Sequence, residues 1–351
     1  MENEINIQAR PYRKGDEPYL SAILNKIYHQ AFNDEYWWWK YLNNPLGAHF
    51  CYCAVMENRI VGFAGSIPYR IKYKDREIIA AQITDLAVEP DLQGKKVFSP
   101  IQKAKLADIK ANTDAFYGFT NENSFRVYRN FDFAFRVPRM TRILKTAALL
   151  NERLPSAAAR PAGALADFGL NLAERVKCAG RKAGLGIREI KALDDRFDAF
   201  LKQVSPSFKI MHVRDTAYLN WRYLRHPIYR YTFLAVEEAD AIAGFAVLRD
   251  DPGDVHRGLI LEFLTAPERE DIQHLLLEKI IAYFRERGVA VIVCWMFPHA
   301  PYYKTFKRHM FVDRRGDLIV LTSPSREDEE LRTDLRNPLN WYISCGDDES
   351  F

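Results

Sequence analysis

Two periodicities alternate along the chain and together predict strands and helices in mixed order. Ile5 to Ala9 reads as a short strand, Lys14-Gly15-Asp16 as a turn and cap, and Pro18 to Tyr28 as a helix with apolar residues at helical spacing. Phe50 to Met56 and Ile60 to Ile67 read as apolar strands joined by the polar turn Glu57-Asn58-Arg59. A third strand, Arg76 to Ala81, leads into Ile83 to Pro90, and the loop Asp91 to Lys96 opens a helix from Val97 to Ala111. Strand, glycine loop and helix in that order aim backbone N–H groups and a helix dipole at an anion. The strand Asp114 to Phe119 follows. Thr120 to Ser124 then starts a short helix that runs through Tyr128 and ends near Asn130 to Phe133.

The same pattern then begins again. Ile187 to Ile190 is a strand, Asp194-Asp195 a cap, and Phe197 to Val204 a helix; Tyr231 to Val236 and Ala241 to Leu248 are strands around the turn Glu237 to Asp240. Tyr36-Trp37-Trp38-Trp39-Lys40-Tyr41-Leu42-Asn43-Asn44-Pro45 recurs as Tyr218-Leu219-Asn220-Trp221-Arg222-Tyr223-Leu224-Arg225-His226-Pro227, a constant offset of 182 residues. Gly62-Phe63-Ala64 and Gly244-Phe245-Ala246 keep that offset. A period this long is a whole domain, so the chain reads as two diverged copies of one fold.

The 351 residues fit two domains, each able to bury a core. The expected division is residues 1–136, a linker over 137–186, a second domain over 187–323 and a tail over 324–351. Val137 to Gly186 is rich in alanine and basic residues, with Pro155 and Pro161, and reads as linker helices and turns. It lacks the interleaved aromatics that would stack bases. A formal charge of +4 makes no case for nucleic acid or an anionic membrane as partner. Five cysteines, mostly within apolar stretches, fit a reducing compartment. Met1 to Arg10 is polar, and no run of about 18 apolar residues occurs, so the expectation is a soluble cytoplasmic chain, monomer or homodimer, with no membrane association.

The strand order, Val88-x-Pro90, the loop Gln93-Gly94-Lys95-Lys96-Val97-Phe98 and Asn121-x-x-Ser124-x-x-x-Tyr128 together resemble the GNAT superfamily of acyl-CoA-dependent N-acyltransferases. The resemblance covers residues about 5 to 135 and, through the repeat, about 187 to 322. It implies an α/β fold of two GNAT-like domains, each a mixed, mostly antiparallel twisted sheet flanked by helices, joined by a helical linker. It implies acetyl-CoA or another acyl-CoA as co-substrate, with no metal. Gln93 to Phe98 would hold the pyrophosphate, Leu86 to Val88 would meet the acyl arm, and Asn121 and Ser124 match the family's Asn-x-x-Ala-x-x-x-Tyr. The loop departs from the family at Lys96, where a glycine is expected, and at Phe98, where a small residue is. A phosphate-cradling turn works through backbone N–H groups, so Lys96 can supply one if its backbone angles permit, while Phe98 would have to turn away.

An amine of pKa near 10 is only about one part in a thousand neutral at pH 7, which costs about 4 kcal/mol unless a base removes the proton. Asp85, just before the loop, is the candidate, as base, through water, or as an anchor for the ammonium. Glu262 is its counterpart, which leaves a structural role open for both. The resemblance implies a backbone N–H near Leu86 to Val88 for the oxyanion and Tyr128 as the acid that protonates the CoA thiolate.

In the second copy, Leu264 to Asp271 replaces the loop without a glycine and with acidic residues, Phe306 stands opposite Tyr128 and His299 opposite Asn121. The first copy is therefore the candidate acyl-CoA site. Trp39, Tyr41 and Pro45 persist in both copies and read as core. Trp37 and Trp38 become Leu219 and Asn220, which makes them candidates for substrate contact or for packing between domains. Cys51 and Cys53 share a strand face but complete no zinc site. The tail Trp341 to Glu349 resembles the ending of some tandem bacterial GNAT proteins. It reads as a short strand and a solvated terminus, with Asp347 as a candidate receptor for a cationic substrate.

The leading expectation is an N-acetyltransferase acting in a ternary complex on a primary amine of a small polar molecule, such as an amino sugar or amino acid. A Fem-like transferase using aminoacyl-tRNA or acyl-carrier protein, and a non-catalytic binding protein, are the alternatives.

Overall fold

Each half of the chain builds its sheet around a hairpin closed by two residues in the left-handed region. In the computed structural model, which describes residues 6–28, 32–125, 133–145, 185–316 and 318–349, Glu57 and Asn58 have φ of 48° and 61°, and Ala239 and Asp240 have 48° and 65°. Two successive positive φ values define the type I′ turn, whose twist matches that of the strands it joins. The chain divides into two units. The first comprises Met1–Arg136, Lys209–Ile228 and Leu318–Trp341; the second comprises Val137–Phe208, Tyr229–Asp317 and Tyr342–Phe351.

In chain order the strands are β1 (Gln8–Pro11), β2 (Tyr52–Met56), β3 (Arg59–Tyr73), β4 (Arg76–Val88), β5 (Ala115–Thr120), β6 (Phe133–Arg136) and β7 (Arg139–Ile143). They continue with β8 (Gly186–Ile190), β9 (Ile210–His212), β10 (Thr232–Glu238), β11 (Ala241–Asp251), β12 (Arg257–Thr265), β13 (Val291–Trp295), β14 (Val312–Arg314) and β15 (Ile319–Pro324). The first sheet is ordered β1-β2-β3-β4-β5-β15-β6, with β9 also on β3, and the second β8-β10-β11-β12-β13-β7-β14. Within each sheet only one neighbouring pair is parallel, β4 with β5 and β12 with β13. The fold is thus the mixed, mostly antiparallel α/β class expected.

Three boundaries differ from the sequence reading. The first strand is Gln8–Pro11, fixed by its pairing of Gln8 with Val55 through Pro11 with Tyr52. β3 and β4 extend past Ile67 and Ala81 because they pair from Gly62–Val88 to Tyr73–Arg76 around a tight turn, where Lys74 has φ of 51°. The units are also not contiguous stretches: β15 lies between β5 and β6 in the first sheet, and β7, in the segment read as linker, lies between β13 and β14 in the second. Each sheet therefore takes its next-to-last strand from outside its own copy. The rest of that linker, residues 146–184, lies outside the described residues.

The tryptophan motif folds the same way twice. Asn33 and Asp215 accept from the N–H groups of Tyr36 and Tyr218, capping the one-turn helices Asp34–Trp37 and Thr216–Leu219. Each continues as a π-helical turn, Trp38–Leu42 and Asn220–Leu224. Both motifs belong to the first unit. There Trp39 Nε1 donates to the Trp221 carbonyl at 2.7 Å, Trp221 Nε1 donates to the Trp39 carbonyl at 2.8 Å, and the rings stack with centroids 5.0 Å apart and planes 16° from parallel. The shared tryptophans are thus partners across the repeat, and Tyr41 is buried as expected. Pro45 is exposed, contrary to the core reading, because it follows the last turn of the π segment.

The helix α1 (Glu17–Tyr28) contacts β3 and β4, while the helix Phe98–Asn112 contacts β1, β2, β3 and β5. Two apolar clusters form around the latter: Phe50, Ala81, Ile83, Ile109, Phe116, Ile319 and Leu321 on one side, and Ala54, Val61, Ala64, Leu92, Val97 and Ile101 on the other. Among the described residues no helix is long and apolar enough to cross a membrane.

The reciprocal pairing predicts equal sensitivity at two positions 182 residues apart. Trp39→Phe and Trp221→Phe should each leave a buried carbonyl without its donor and cost about 1–3 kcal/mol. Urea titration should show the double variant losing less than the sum of the singles; strict additivity would refute the coupling.

Candidate functional site

The geometry of the first unit is set where β4 and β5 part. Their parallel ladder holds from Ala80–Ala115 to Ile83–Gly118 and then stops, while β4 runs on to Val88 beside β3. At that point β4 carries an extra residue: Ala64 faces Leu86 and Ser66 faces Ile83, so Thr84 and Asp85 together oppose Gly65. Such bulges re-aim side chains. Here the Asp85 carboxylate meets the tryptophan motif, accepting from Lys40 Nζ at 2.9 Å and from Tyr41 OH at 2.6 Å, with Thr84 Oγ1 3.0 Å from the same phenol. Lys40 is buried, so its ammonium depends on this carboxylate. Gly65 is needed for the approach, because a Cβ there would lie 2.3 Å from Tyr41 OH.

Beyond the bulge, the edge of β4 that β5 has left is capped by side chains. Tyr28 OH donates to the Leu86 carbonyl at 3.1 Å and accepts from the Leu86 N–H at 3.2 Å; Gln93 Nε2 donates to the Val88 carbonyl at 3.3 Å. Tyr28 is 39% exposed and Gln93 is exposed. Ala87 is buried and faces Phe63 across the ladder.

The loop that follows has two left-handed residues, Gly94 with φ of 80° and Lys96 with 60°. Lys96 therefore adopts the backbone conformation usually left to glycine, at a cost of about 1 kcal/mol. Among the described residues, the N–H groups of Gly94, Lys96 and Val97 donate to no backbone acceptor. The Lys95 and Lys96 side chains are exposed. Val97 is buried, and Phe98 packs with Leu86 against both apolar clusters. Asn121 and Ser124 cap one another: Ser124 N donates to Asn121 Oδ1 at 2.9 Å and Asn121 N to Ser124 Oγ at 3.1 Å. Tyr128 lies outside the described residues.

Residues 8–136 match the acetyltransferase (GNAT) domain family. This part of the chain is a GNAT domain. No curated protein matches the chain in sequence. Solved structures share the fold over nearly its whole length. A probable N-acyltransferase from Enterococcus faecalis is 14% identical with a TM-score of 0.64, over 90% of this chain and 72% of its own. A GCN5-related N-acetyltransferase from Anabaena variabilis is 12% identical with the same score, over 92% and 73%. N-myristoyltransferase from Saccharomyces cerevisiae, solved with bound myristoyl-CoA, is 13% identical with a score of 0.60, over 92% and 82%.

The second unit has the GNAT strand order but closes the equivalent gap with its own chain. β12 leaves β13 after Leu259–Val293. Tyr342 OH then donates to the Phe263 carbonyl at 2.6 Å, Ser344 Oγ donates to Glu262 at 3.0 Å, and Tyr302 OH bonds both the carbonyl and the N–H of Thr265. All four of these side chains are buried. Where the GNAT domain has its loop, Arg269 pairs with Asp271 and Glu238 instead. Phe306, the residue opposite Tyr128, packs on Phe263 and Phe311, and His299 packs on Phe297.

The tail is consequently not a solvated terminus: Tyr342 to Cys345 and Asp347 to Glu349 are buried, and Asp347 accepts from the Ser344 N–H at 2.8 Å in a capping box. Trp37 also sits inside, 2% exposed against Tyr12, Tyr41 and Phe63, whereas Trp38 is 47% exposed. Sequence reasoning passed over Lys40 and Tyr41, whose signal was a basic residue kept inside an aromatic motif as Lys40 and Arg222.

Gly65→Ala should push the Tyr41 phenol off Asp85 and cost about 1–3 kcal/mol. An unchanged urea midpoint would show that the phenol's position does not depend on Gly65.

Proposed function

We propose that the protein is an acyl-CoA-dependent N-acyltransferase, acetyl-CoA being the donor, that acylates a primary amine of a small polar molecule by direct transfer in a ternary complex. The observation that carries the reading is the parted edge of β4, where among the described residues Tyr28 holds the Leu86 N–H and carbonyl and Gln93 the Val88 carbonyl, side chains that solvent reaches and a ligand can replace. The donor's amide arm takes those groups. Gly94, Lys96 and Val97 offer N–H groups to its pyrophosphate, with the Lys95 and Lys96 ammoniums nearby in sequence. Asn121 and Ser124 line the start of the next helix.

In this reading the Leu86 N–H, released by Tyr28, donates to the oxyanion as the amine attacks the thioester carbonyl. Asp85, already bonded to Lys40 and Tyr41 through one oxygen, anchors the acceptor's ammonium with the other and takes its proton through an intervening water. Tyr128 protonates the departing thiolate, a step worth about 10² to 10⁴ in rate. Trp38, exposed on the motif, is the aromatic contact for the acceptor. The second unit serves as scaffold, and the protein works in the cytoplasm.

Calorimetry with acetyl-, butyryl- and myristoyl-CoA tests donor binding and chain length together. Binding strongest for acetyl-CoA is expected; no heat and no thermal shift at millimolar donor would sink the proposal. Tyr128→Phe should lower turnover by about 10² or more with donor affinity retained, and unchanged turnover across the pH range would remove Tyr128 from the mechanism.

A further inference from the structure

The helix Phe98–Asn112 presents Ile101, Lys105 and Ile109 on one face, all fully buried, so a lysine stands where the stripe calls for an apolar side chain. The second copy shows what the fold accepts at that place. The missing Cβ of Gly62 faces Val97 and that of Gly244 faces Ile272, which aligns Val97, Ile101, Lys105 and Ile109 with Ile272, Leu276, Ile280 and Phe284, all buried and apolar. Two neighbours change in step: Cys51 and Gly65 in the first copy stand where the 182-residue offset puts Phe233 and Val247. Losing those larger side chains makes room for a lysine chain.

What the lysine reaches is the site. Lys105 Nζ donates to the Gly65 carbonyl, the residue opposite the Asp85 bulge, at 3.3 Å, and among the described residues this one long bond serves an ammonium with three protons. The groups facing it are Cys51 and Asp85, and Asp85 is already bonded to Lys40 and Tyr41. Burial holds the Cys51 thiol well above its usual range, so it stays neutral and balances no charge. Desolvation, opposed by Cys51 and Asp85, brings Lys105 down to about 7.

We propose that Lys105 is a positioning residue of the acyl-transfer site, a buried amine whose protonation makes the Lys40–Asp85–Lys105 cluster cationic and turns away the ammonium form of the acceptor. This rests on the acyl-transfer reading above. With Lys105 neutral, Lys40 and Asp85 cancel and the second Asp85 oxygen remains attractive; with Lys105 charged, the cluster carries one net positive charge beneath the bulge.

Two measurements on the full chain test it. For a lysine neutral in the folded state and charged in the unfolded state, the unfolded chain binds the extra proton, so stability rises with pH between about 7 and 10.5 and the burden is full below that window. Lys105→Met should therefore melt several degrees above wild type at pH 6, with the gap closing by pH 10. With acetyl-CoA and ethanolamine as probes, the wild-type amine KM should rise about tenfold from pH 8 to pH 6, with the acetyl-CoA KM unchanged. Lys105→Met should abolish that rise, and Lys105→Arg should hold the amine KM high throughout. A melting gap independent of pH, or a KM rise that survives in Lys105→Met, would overturn the proposal. Absence of acetyl-CoA binding by wild type would instead sink the acyl-transfer reading, and the melting comparison would still decide whether Lys105 titrates inside the fold.

Discussion

A parallel ladder that stops after four rungs is the constraint on which the site depends. Once β5 leaves β4 at Ile83–Gly118, the backbone groups of Leu86 and Val88 have lost their strand partner, and groups of that strength must be paired. The two copies answer the same demand differently. The first uses a phenol at the end of α1 and a glutamine from the following loop, both within reach of solvent. The second uses Tyr302 on Thr265 and Tyr342 on Phe263, buried parts of its own chain. A gap capped by exposed side chains can exchange them for a ligand at little cost. Closing it with buried side chains gives up that exchange, and this is the physical difference between the two copies.

The charges beneath the bulge follow from the same place. An extra residue in β4 turns Asp85 toward the tryptophan motif, and there Lys40 and Tyr41 complete it. Breaking a buried pair by removing one partner costs about 3–5 kcal/mol, because the other charge is left alone. Lys40 is therefore held firmly to Asp85, and one oxygen of that carboxylate is already engaged. Lys105 adds a buried amine bonded to the Gly65 carbonyl and not to a carboxylate. The second copy has Ile280 in that place.

What could be read from the chain was local. The paired hairpin turns and the strand–loop–helix unit are specified within about ten residues, where turn chemistry and periodicity act directly. The cluster around Asp85 was not legible, since Lys40, Gly65, Asp85 and Lys105 meet only through a bulge and a helix packed across the sheet. Lys105 gave a signal as a break in an apolar stripe, and it becomes readable once Ile280 is set beside it. The acidic tail suggested solvent by composition, yet its burial comes from β12, whose open edge no local pattern announces. Trp37 was misread for a related reason: a residue present in one copy only can fill a core as readily as it can line a cleft.

The exchange of β7 and β15 explains why the two compact units do not coincide with the division drawn from the repeat. Similarity between copies tracks ancestry, whereas a compact unit is defined by which strands share hydrogen bonds. Val137 and Pro138 carry the chain from β6 into the second sheet, and the chain leaves that sheet after Arg314 and rejoins the first at Ile319. A chain cut within 146–184 would leave β5 and β6 without the strand that joins them, exposing two rows of backbone donors and acceptors at once. Neither copy is thus a complete sheet by itself. The second copy thus has a physical part in the first: it supplies the strand that completes the sheet in which the first copy's gap is built.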